Sequence, residues 1–171
     1  MLDNRKILIV DDEKGIQKLF SRILSPPLET DVLSRGAALF GETDVKPVST
    51  THDRFDLVFA DSGEDAVKAV EEAITKKQPF SLVFIDIGLP GIDGVETVRQ
   101  IWKADPDMKV IFVTGSMHFE TKNVCATTGR EDFFYISKPF KTKEVSALAH
   151  SLAEQWSKER KQERTRRYER Q

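Results

Sequence analysis

Five short runs of apolar, mostly β-branched or aromatic residues recur along the chain and constrain its fold more than any other feature. They lie at residues 7–10, 57–60, 82–85, 110–113 and 133–136. Each run is continuous rather than alternating, and continuous apolar strands suit a parallel sheet that is covered on both faces. The sequence therefore predicts five buried parallel strands.

Helical periodicity fills the gaps between these runs. Apolar residues recur at three- and four-residue spacing after the first run, after Ser62, which can cap a helix, and again before Asp105 and Pro106. The pattern is weakest at residues 118–128, where Thr, Asn and His are common. Five alternations of strand and helix predict a doubly wound parallel α/β sheet with right-handed crossovers. The functional site of such a sheet lies beyond the carboxyl ends of its strands.

The charge distribution divides the chain into two parts. Residues 157–171 carry seven Lys or Arg and three Glu, a net charge of +4, whereas residues 1–156 carry 19 basic and 25 acidic residues, a net charge of −6. We predict one domain over residues 1–156 and a basic helical tail or linker over residues 157–171. The last helix should continue past Trp156, because Lys, Arg, Glu and Gln are good helix formers. An acidic body argues against nucleic-acid binding there, and we interpret the tail as a solvated charged helix.

The single cysteine and the shortness of the first apolar run indicate that the protein is cytoplasmic. Cys125 cannot form an internal disulfide, and the sequence has no CxxC motif or Cys/His cluster that would hold zinc. The run at residues 7–10 is too short for a signal peptide core or a membrane span. We therefore expect a cytoplasmic protein without membrane contact.

Polar side chains follow four of the five runs. Asp11 and Asp12 follow the first run, Asp86 the third, Thr114 the fourth and Lys138 the fifth. Because the carboxyl ends of parallel strands meet at one edge, these groups should converge there. Magnesium prefers one or two carboxylates together with waters and phosphate oxygens. Asp12 and Asp86 could therefore bind it directly, and Asp11 could reach it through water.

The same constellation favours phosphoryl chemistry. An ionised carboxylate such as Asp86 can attack phosphorus and form an acyl phosphate without a separate base. The reaction needs charge neutralisation, which a metal ion and Lys138 can supply, and Thr114 could donate a hydrogen bond to the new phosphoryl oxygen. Taken singly, Asp11 and Asp12 could equally cap the first helix, and Lys138 could be a surface lysine. Their joint placement at the ends of successive strands argues for a site.

The motifs at these positions resemble those of response regulator receiver domains. They read IVDDE at residues 9–13, DIGLPGIDG at 86–94, VTG at 113–115 and YISKPF at 135–140. The resemblance covers about residues 6–156 and implies a flavodoxin-like (βα)5 sheet of strand order 2-1-3-4-5. The motif at residues 39–41 and the end of the last helix also resemble receivers fused N-terminally to histidine kinases or cyclic-dinucleotide enzymes.

Carried over residue by residue, the resemblance implies a role for each matching position and a cofactor, Mg2+ or Mn2+. It also implies a cis peptide bond before Pro139. The implied roles are phosphoacceptor for Asp86, metal-binding acid pair for Asp11 and Asp12, metal ligand through its backbone carbonyl for Gly88, phosphoryl contacts for Thr114 and Lys138, and switch aromatic for Tyr135.

The resemblance further implies a phosphorelay switch in two-component signal transduction. A histidine kinase or phosphotransfer protein would phosphorylate the domain and thereby change its binding to an output domain or partner protein. Catalysis would be limited to its own phosphorylation and dephosphorylation, so we do not expect an enzyme. One alternative is an aspartyl-phosphate phosphohydrolase, which is disfavoured because Gly88 stands where a second acid would be needed. The other is a nucleic-acid binder that uses the basic tail.

Two further expectations concern regions outside this motif set. Residues 25–55, between the first helix and the second strand, are far more than a connection needs, so they form an insertion. It could be a neutral surface loop, or it could contact a partner or cover the second helix. The last helix could also form a homodimer seam, as well as dock on the sheet, with apolar side chains from Val145, Leu148, Leu152 and Trp156.

Overall fold

The computed structural model describes residues 4–27, 54–115 and 121–170. Within these ranges five strands alternate with five helices. The strands are β1 (Lys6–Val10), β2 (Asp56–Ala60), β3 (Leu82–Asp86), β4 (Lys109–Thr114) and β5 (Phe134–Ser137). The helices are α1 (Lys14–Leu24), α2 (Gly63–Thr75), α3 (Gly94–Ala104), α4 (Thr121–Thr128) and α5 (Thr142–Glu169).

The strands form one parallel sheet in the order β2-β1-β3-β4-β5, which confirms the predicted fold. In β1, Ile9 pairs with Phe59 of β2 on one side and with Phe84 of β3 on the other. The direction in which successive strands are added to the sheet reverses between β1 and β3: β2 lies on one side of β1, and β3, β4 and β5 follow on its other side. Ligands of doubly wound sheets bind beyond the carboxyl ends of the strands at such a point.

Two apolar layers explain why the strands read as continuous apolar runs. Successive strand residues point to opposite faces of the sheet, so Leu8 and Ile85 pack under α2 and α3, whereas Ile9 and Phe84 pack under α1 and α5. Phe20 of α1 contacts Phe84 with ring centroids 4.9 Å apart. Because helices cover both faces of the sheet, the residues that point to either face of a central strand must be apolar.

The helix ends confirm one predicted cap and exclude another. Ser62 caps α2, as predicted, and accepts a hydrogen bond from the Asp65 N–H at 3.1 Å. The N-cap residue of α1 is Glu13, and no side chain in the described part of the chain caps that helix. The interpretation of Asp11 and Asp12 as caps of α1 is therefore wrong. The Asp11 carboxylate instead accepts the Glu13 N–H at 2.9 Å and turns toward the sheet edge.

The predicted insertion enters and leaves the domain at neighbouring points. The Phe55 N–H, at the end of the insertion, donates to the Leu24 carbonyl, at the end of α1, at 2.9 Å. A segment whose ends already meet adds little entropic cost to the domain. Residues 28–53 and residues 118–120 of the weak fourth helix lie outside the described residues.

Helix α5 continues well past Trp156, as predicted, and ends at Glu169. Its apolar stripe packs against the sheet, where Val145, Leu152 and Trp156 are buried and Leu148 is partly buried. The predicted docking of this stripe on the sheet is therefore confirmed, and the homodimer seam stays a prediction. No helix in the described ranges is long and apolar enough to cross a membrane.

Arg160 extends the packed part of α5 by one turn beyond the apolar stripe. Its guanidinium lies 4.7 Å from the ring centroid of Trp156, and its nitrogens lie 3.4 Å from Asp105 Oδ1 and 3.3 Å from Asp107 Oδ2. Asp105 is only 3% exposed, and burial raises the pKa of its carboxyl while the Arg160 charge opposes that rise. The α3–β4 loop thus holds the start of the charged tail, near Arg160, against the domain.

We predict that Arg160→Ala lowers the free energy of unfolding by about 1–3 kcal/mol, because it leaves the buried Asp105 carboxylate without its cation. Arg164→Ala, one turn further along the same helix at an exposed position, should change it by less than about 0.5 kcal/mol. Urea denaturation of both variants measures the difference. Equal effects would contradict the anchoring role.

Candidate phosphoacceptor site

The three predicted acids lie together at the reversal point between β1 and β3. Asp11 directly follows β1, Asp12 is the next residue, and Asp86 is the last residue of β3. One carboxylate oxygen from each lies within 4.8 Å of those of the other two. Asp11 is 2% and Asp86 9% exposed, whereas Asp12 is exposed. The site is therefore a buried pair of carboxylates with a third acid at its mouth.

Lys138 brings the predicted positive charge to these acids from the far end of β5. Its Nζ lies 2.9 Å from Asp11 Oδ2 and 3.3 Å from Asp86 Oδ2. Glu13, for which the sequence predicted no role, lies 3.4 Å from the same nitrogen. The Lys138 N–H donates to the Thr114 carbonyl at 2.7 Å, and the following bond to Pro139 is cis, as expected.

The electrostatics of the site favour an additional cation. Burial raises the pKa of the Asp11 carboxyl, and the Asp86 charge adds to that effect, although the Glu13 N–H and Lys138 oppose it. Burial alone would lower the pKa of Lys138, but its contacts with Asp11 and then Asp86 raise it overall, so the ammonium stays charged. One ammonium faces several carboxylates. Hard oxygen donors with excess negative charge fit Mg2+ or Mn2+.

Two glycines of the β3–α3 connection lie close to Asp86. The Gly88 N–H donates to Asp86 Oδ1 at 3.1 Å and so orients the carboxylate. The Gly94 N–H donates to the Ile87 carbonyl at 3.0 Å, and a Cβ on Gly94 would lie only 2.3 Å from the Asp86 carbonyl oxygen. Gly94 therefore permits α3 to begin directly against the backbone of the predicted phosphoacceptor. The metal contact expected of the Gly88 carbonyl stays a prediction.

Thr114 lies on β4, next to the strand that carries Asp86, and Tyr135 lies on the edge strand β5. Thr114 ends β4, is buried, and pairs in register with Ser137 of β5. Tyr135 lies two residues before Ser137 and is 55% exposed. Thr114 thus stands on the strand that borders Asp86, and Tyr135 on the strand that leads to Lys138. The signalling roles of both residues stay predictions.

The sequence analysis missed one buried polar residue beside the acids. Gln17 of α1 donates from Nε2 to the Asp11 main-chain oxygen at 2.8 Å and to Asp61 Oδ1 at 2.7 Å. Its spacing could have revealed it, because Gln17, Phe20 and Leu24 share the buried side of α1. A glutamine at such a position needs polar partners inside the domain.

Comparison with known proteins identifies the family. A sequence model of the response regulator receiver domain matches residues 50–150. That match covers more than half of the chain, and it includes Asp86, Thr114 and Lys138. The chain therefore belongs to the response regulator receiver domain family, whose members act in two-component signalling and are typically switches rather than enzymes.

Two curated relatives support this assignment. The alkaline phosphatase synthesis transcriptional regulatory protein PhoP of Bacillus subtilis is 27% identical over 149 residues, which are 87% of this chain and 48% of that protein. The response regulator receiver protein CpdR of Brucella abortus is 40% identical over 55 residues, 32% of this chain and 42% of that protein. The chain thus spans about half the length, or less, of these relatives.

Solved structures share the fold at low sequence identity. The adenylate cyclase of Rhodopirellula baltica matches with a TM-score of 0.67 and 19% identity, covering 96% of this chain and 98% of that one. The signal receiver domain of an HD domain-containing protein from Pseudomonas fluorescens matches with a TM-score of 0.64, 21% identity and coverages of 94% and 95%. The CheX–CheY–BeF3–Mg2+ complex from Borrelia burgdorferi matches with a TM-score of 0.60, 21% identity and coverages of 86% and 87%.

We predict that Gly94→Ala destabilises the domain by about 1–3 kcal/mol, because the new Cβ collides with the Asp86 backbone and α3 must shift. Gly15→Ala is the matched control. Among the described residues no heavy atom lies within 4 Å of a Cβ on Gly15, and alanine in α1 should stabilise by about 0.5–1 kcal/mol. Chemical denaturation compares the two, and a Gly94→Ala variant as stable as wild type would refute the close approach.

Proposed function

We propose that this chain is a phosphorylation-dependent switch in which Asp86 accepts a phosphoryl group from a histidine kinase or phosphotransfer protein with Mg2+ or Mn2+. One observation carries the proposal. The Lys138 ammonium contacts both Asp86 and Asp11, at 3.3 and 2.9 Å, at the reversal point of the sheet. A carboxylate that faces a fixed cation beside further acids is arranged to receive a highly charged group.

The transfer needs little from the protein beyond placement and charge. An Asp86 carboxylate oxygen attacks the phosphorus of a phosphohistidine, the P–N bond breaks, and its electron pair stays on the imidazole nitrogen. A carboxylate nucleophile has no proton for a separate base to remove. The Gly88 N–H holds one carboxylate oxygen, and Lys138 offsets the charge of the arriving phosphoryl oxygens.

The proposed metal ligands are Asp11, Asp12, Asp86 and the Gly88 carbonyl. Their support is the cluster of carboxylate oxygens within 4.8 Å and the open position of Asp12, which gives a cation access from solvent. When bound, Mg2+ supplies further neutralisation of the phosphoryl oxygens. The Borrelia complex of similar fold contains Mg2+ with BeF3, which agrees with such a site here.

Phosphorylation would shift the domain between two conformations. The Thr114 hydroxyl would donate to a phosphoryl oxygen, and Tyr135 would turn inward from its exposed position. The Lys138 N–H already joins the ends of β4 and β5 through the Thr114 carbonyl, so both strand ends would respond together. One charge-assisted hydrogen bond is large enough to bias states that differ by a few kcal/mol.

The signal would leave the domain through α5. We assign residues 1–156 to the receiver domain and residues 157–171 to a connector toward an output domain or partner protein. The helix crosses this boundary without a break, and Arg160 anchors its continuation on the α3–β4 loop. An anchored helix can transmit a rigid displacement.

We predict that a small acyl phosphate with Mg2+ labels wild-type protein, and that Asp86→Asn abolishes the label, because an amide is a poor nucleophile. Asp56→Asn, an exposed position at the start of β2, should label normally. A chelator should also stop labelling. Incorporation of radiolabel measures each of these effects. Full labelling of Asp86→Asn would contradict the assignment of Asp86 as the phosphoacceptor.

We predict that Thr114→Ala still accepts the label, because Asp86 and Lys138 remain, but responds less, because the hydroxyl is lost. NMR signals of the Tyr135 ring before and after phosphorylation measure the response. Thr75→Ala, at the exposed end of α2, serves as control. A full Tyr135 response in Thr114→Ala would contradict the coupling.

A further inference from the structure

Gln17 lies directly behind the acid pair and has no part in the phosphoryl chemistry described above. It is 8% exposed, on the inner side of the first turn of α1. Its Nε2 lies 2.8 Å from the main-chain oxygen of Asp11 and 2.7 Å from Asp61 Oδ1. A primary amide has two N–H groups, so both acceptors can be satisfied at once.

Asp61 gives this amide a fixed anchor at the end of β2. Its Oδ1 also accepts a hydrogen bond from Lys14 Nζ at 2.6 Å. The hydrogen bonds from Lys14 and then from Gln17 lower the pKa of the Asp61 carboxyl, so it stays ionised and keeps accepting. Gln17 therefore bridges the end of β2 and the loop that carries the acids.

The Asp11 main chain is held on both sides. Its N–H donates to the Ala60 carbonyl at 3.2 Å, and its carbonyl accepts from Gln17. The peptide group between Asp11 and Asp12 is planar, so fixing the Asp11 carbonyl also fixes where the Asp12 side chain starts. This restraint matters because neighbouring carboxylates repel each other and would otherwise spread apart.

We propose that Gln17 is a positioning residue for the divalent cation: it holds the Asp11 main chain so that the acid pair is arranged before the cation arrives. This inference rests on the proposed function, since it concerns the same metal site. It separates two steps of that function. Gln17 acts on metal affinity alone and Lys138 acts on the phosphoryl group, whereas Asp86 is both a proposed metal ligand and the proposed phosphoacceptor.

The test uses Gln17→Met, which keeps a side chain of similar length and apolar fit but removes both donors. Direct calorimetric titration gives the Mg2+ dissociation constant, and labelling rates at increasing Mg2+ give the half-saturating concentration. We expect both to rise about tenfold, as when partners that orient metal ligands are lost. The maximal labelling rate at saturating Mg2+ should stay near that of wild type.

Two further variants separate positioning from stability. Gln100→Met removes a comparable amide hydrogen bond on α3, to Glu96 at 2.9 Å, and should leave Mg2+ binding unchanged. Asp61→Ala removes one of the two amide partners at a half-exposed position that should not impair folding, and should weaken Mg2+ binding about threefold. Thermal unfolding without metal records any general loss of stability.

The outcomes distinguish this inference from the proposed function. If wild type binds Mg2+ and both Gln17→Met and Asp61→Ala bind it equally well, Gln17 is only a structural residue and the inference is overturned. A lower maximal labelling rate with an unchanged Mg2+ dependence would overturn it as well. Absence of Mg2+ binding by wild type would overturn both. Binding without any labelling would count against the phosphoacceptor function alone, because the direct titration still tests Gln17.

Discussion

The contact of the Lys138 ammonium with two buried carboxylates is the interaction on which the rest of the site depends. Asp11 and Asp86 would repel each other at the end of the sheet without it. Lys138 follows β5, at one edge, and reaches acids on β1 and β3, where the sheet reverses. The strand order is therefore also the arrangement that brings these charges together.

Helix α5 joins the two ends of the sheet. It begins four residues after Lys138, packs its apolar stripe across the central strands, and reaches the α3–β4 loop at the opposite end through Arg160. A displacement of the β5 end on phosphorylation would thus act on a helix that is anchored at its far end. Helix α5 therefore links the charged tail to the site, although the tail and the site lie at opposite ends of the domain.

Much of this arrangement could be predicted from the sequence because it depends on repeated local patterns. The apolar run at 82–85 became β3, and polar residues directly after the runs became the site. The spacing of Gln17 indicates that it is buried, but its role could not be predicted, since nothing local says that Asp61 lies opposite it. The homodimer stays a prediction, because an apolar stripe that docks on its own sheet does not say whether a second copy also contacts the helix. Asp11 does not cap α1, because one of its carboxylate oxygens accepts the N–H of Glu13, before the helix begins, and the other contacts Lys138.

Peptide mapping of the wild-type chain after reaction with a small acyl phosphate and Mg2+ identifies the residue that accepts the phosphoryl group. Borohydride reduction traps an acyl phosphate at the modified carboxyl, so mass spectrometry can assign it to one residue. We expect modification of Asp86 and dependence on Mg2+. Modification of Asp11, Asp12 or a residue outside the site, or reaction that is independent of Mg2+, would contradict it.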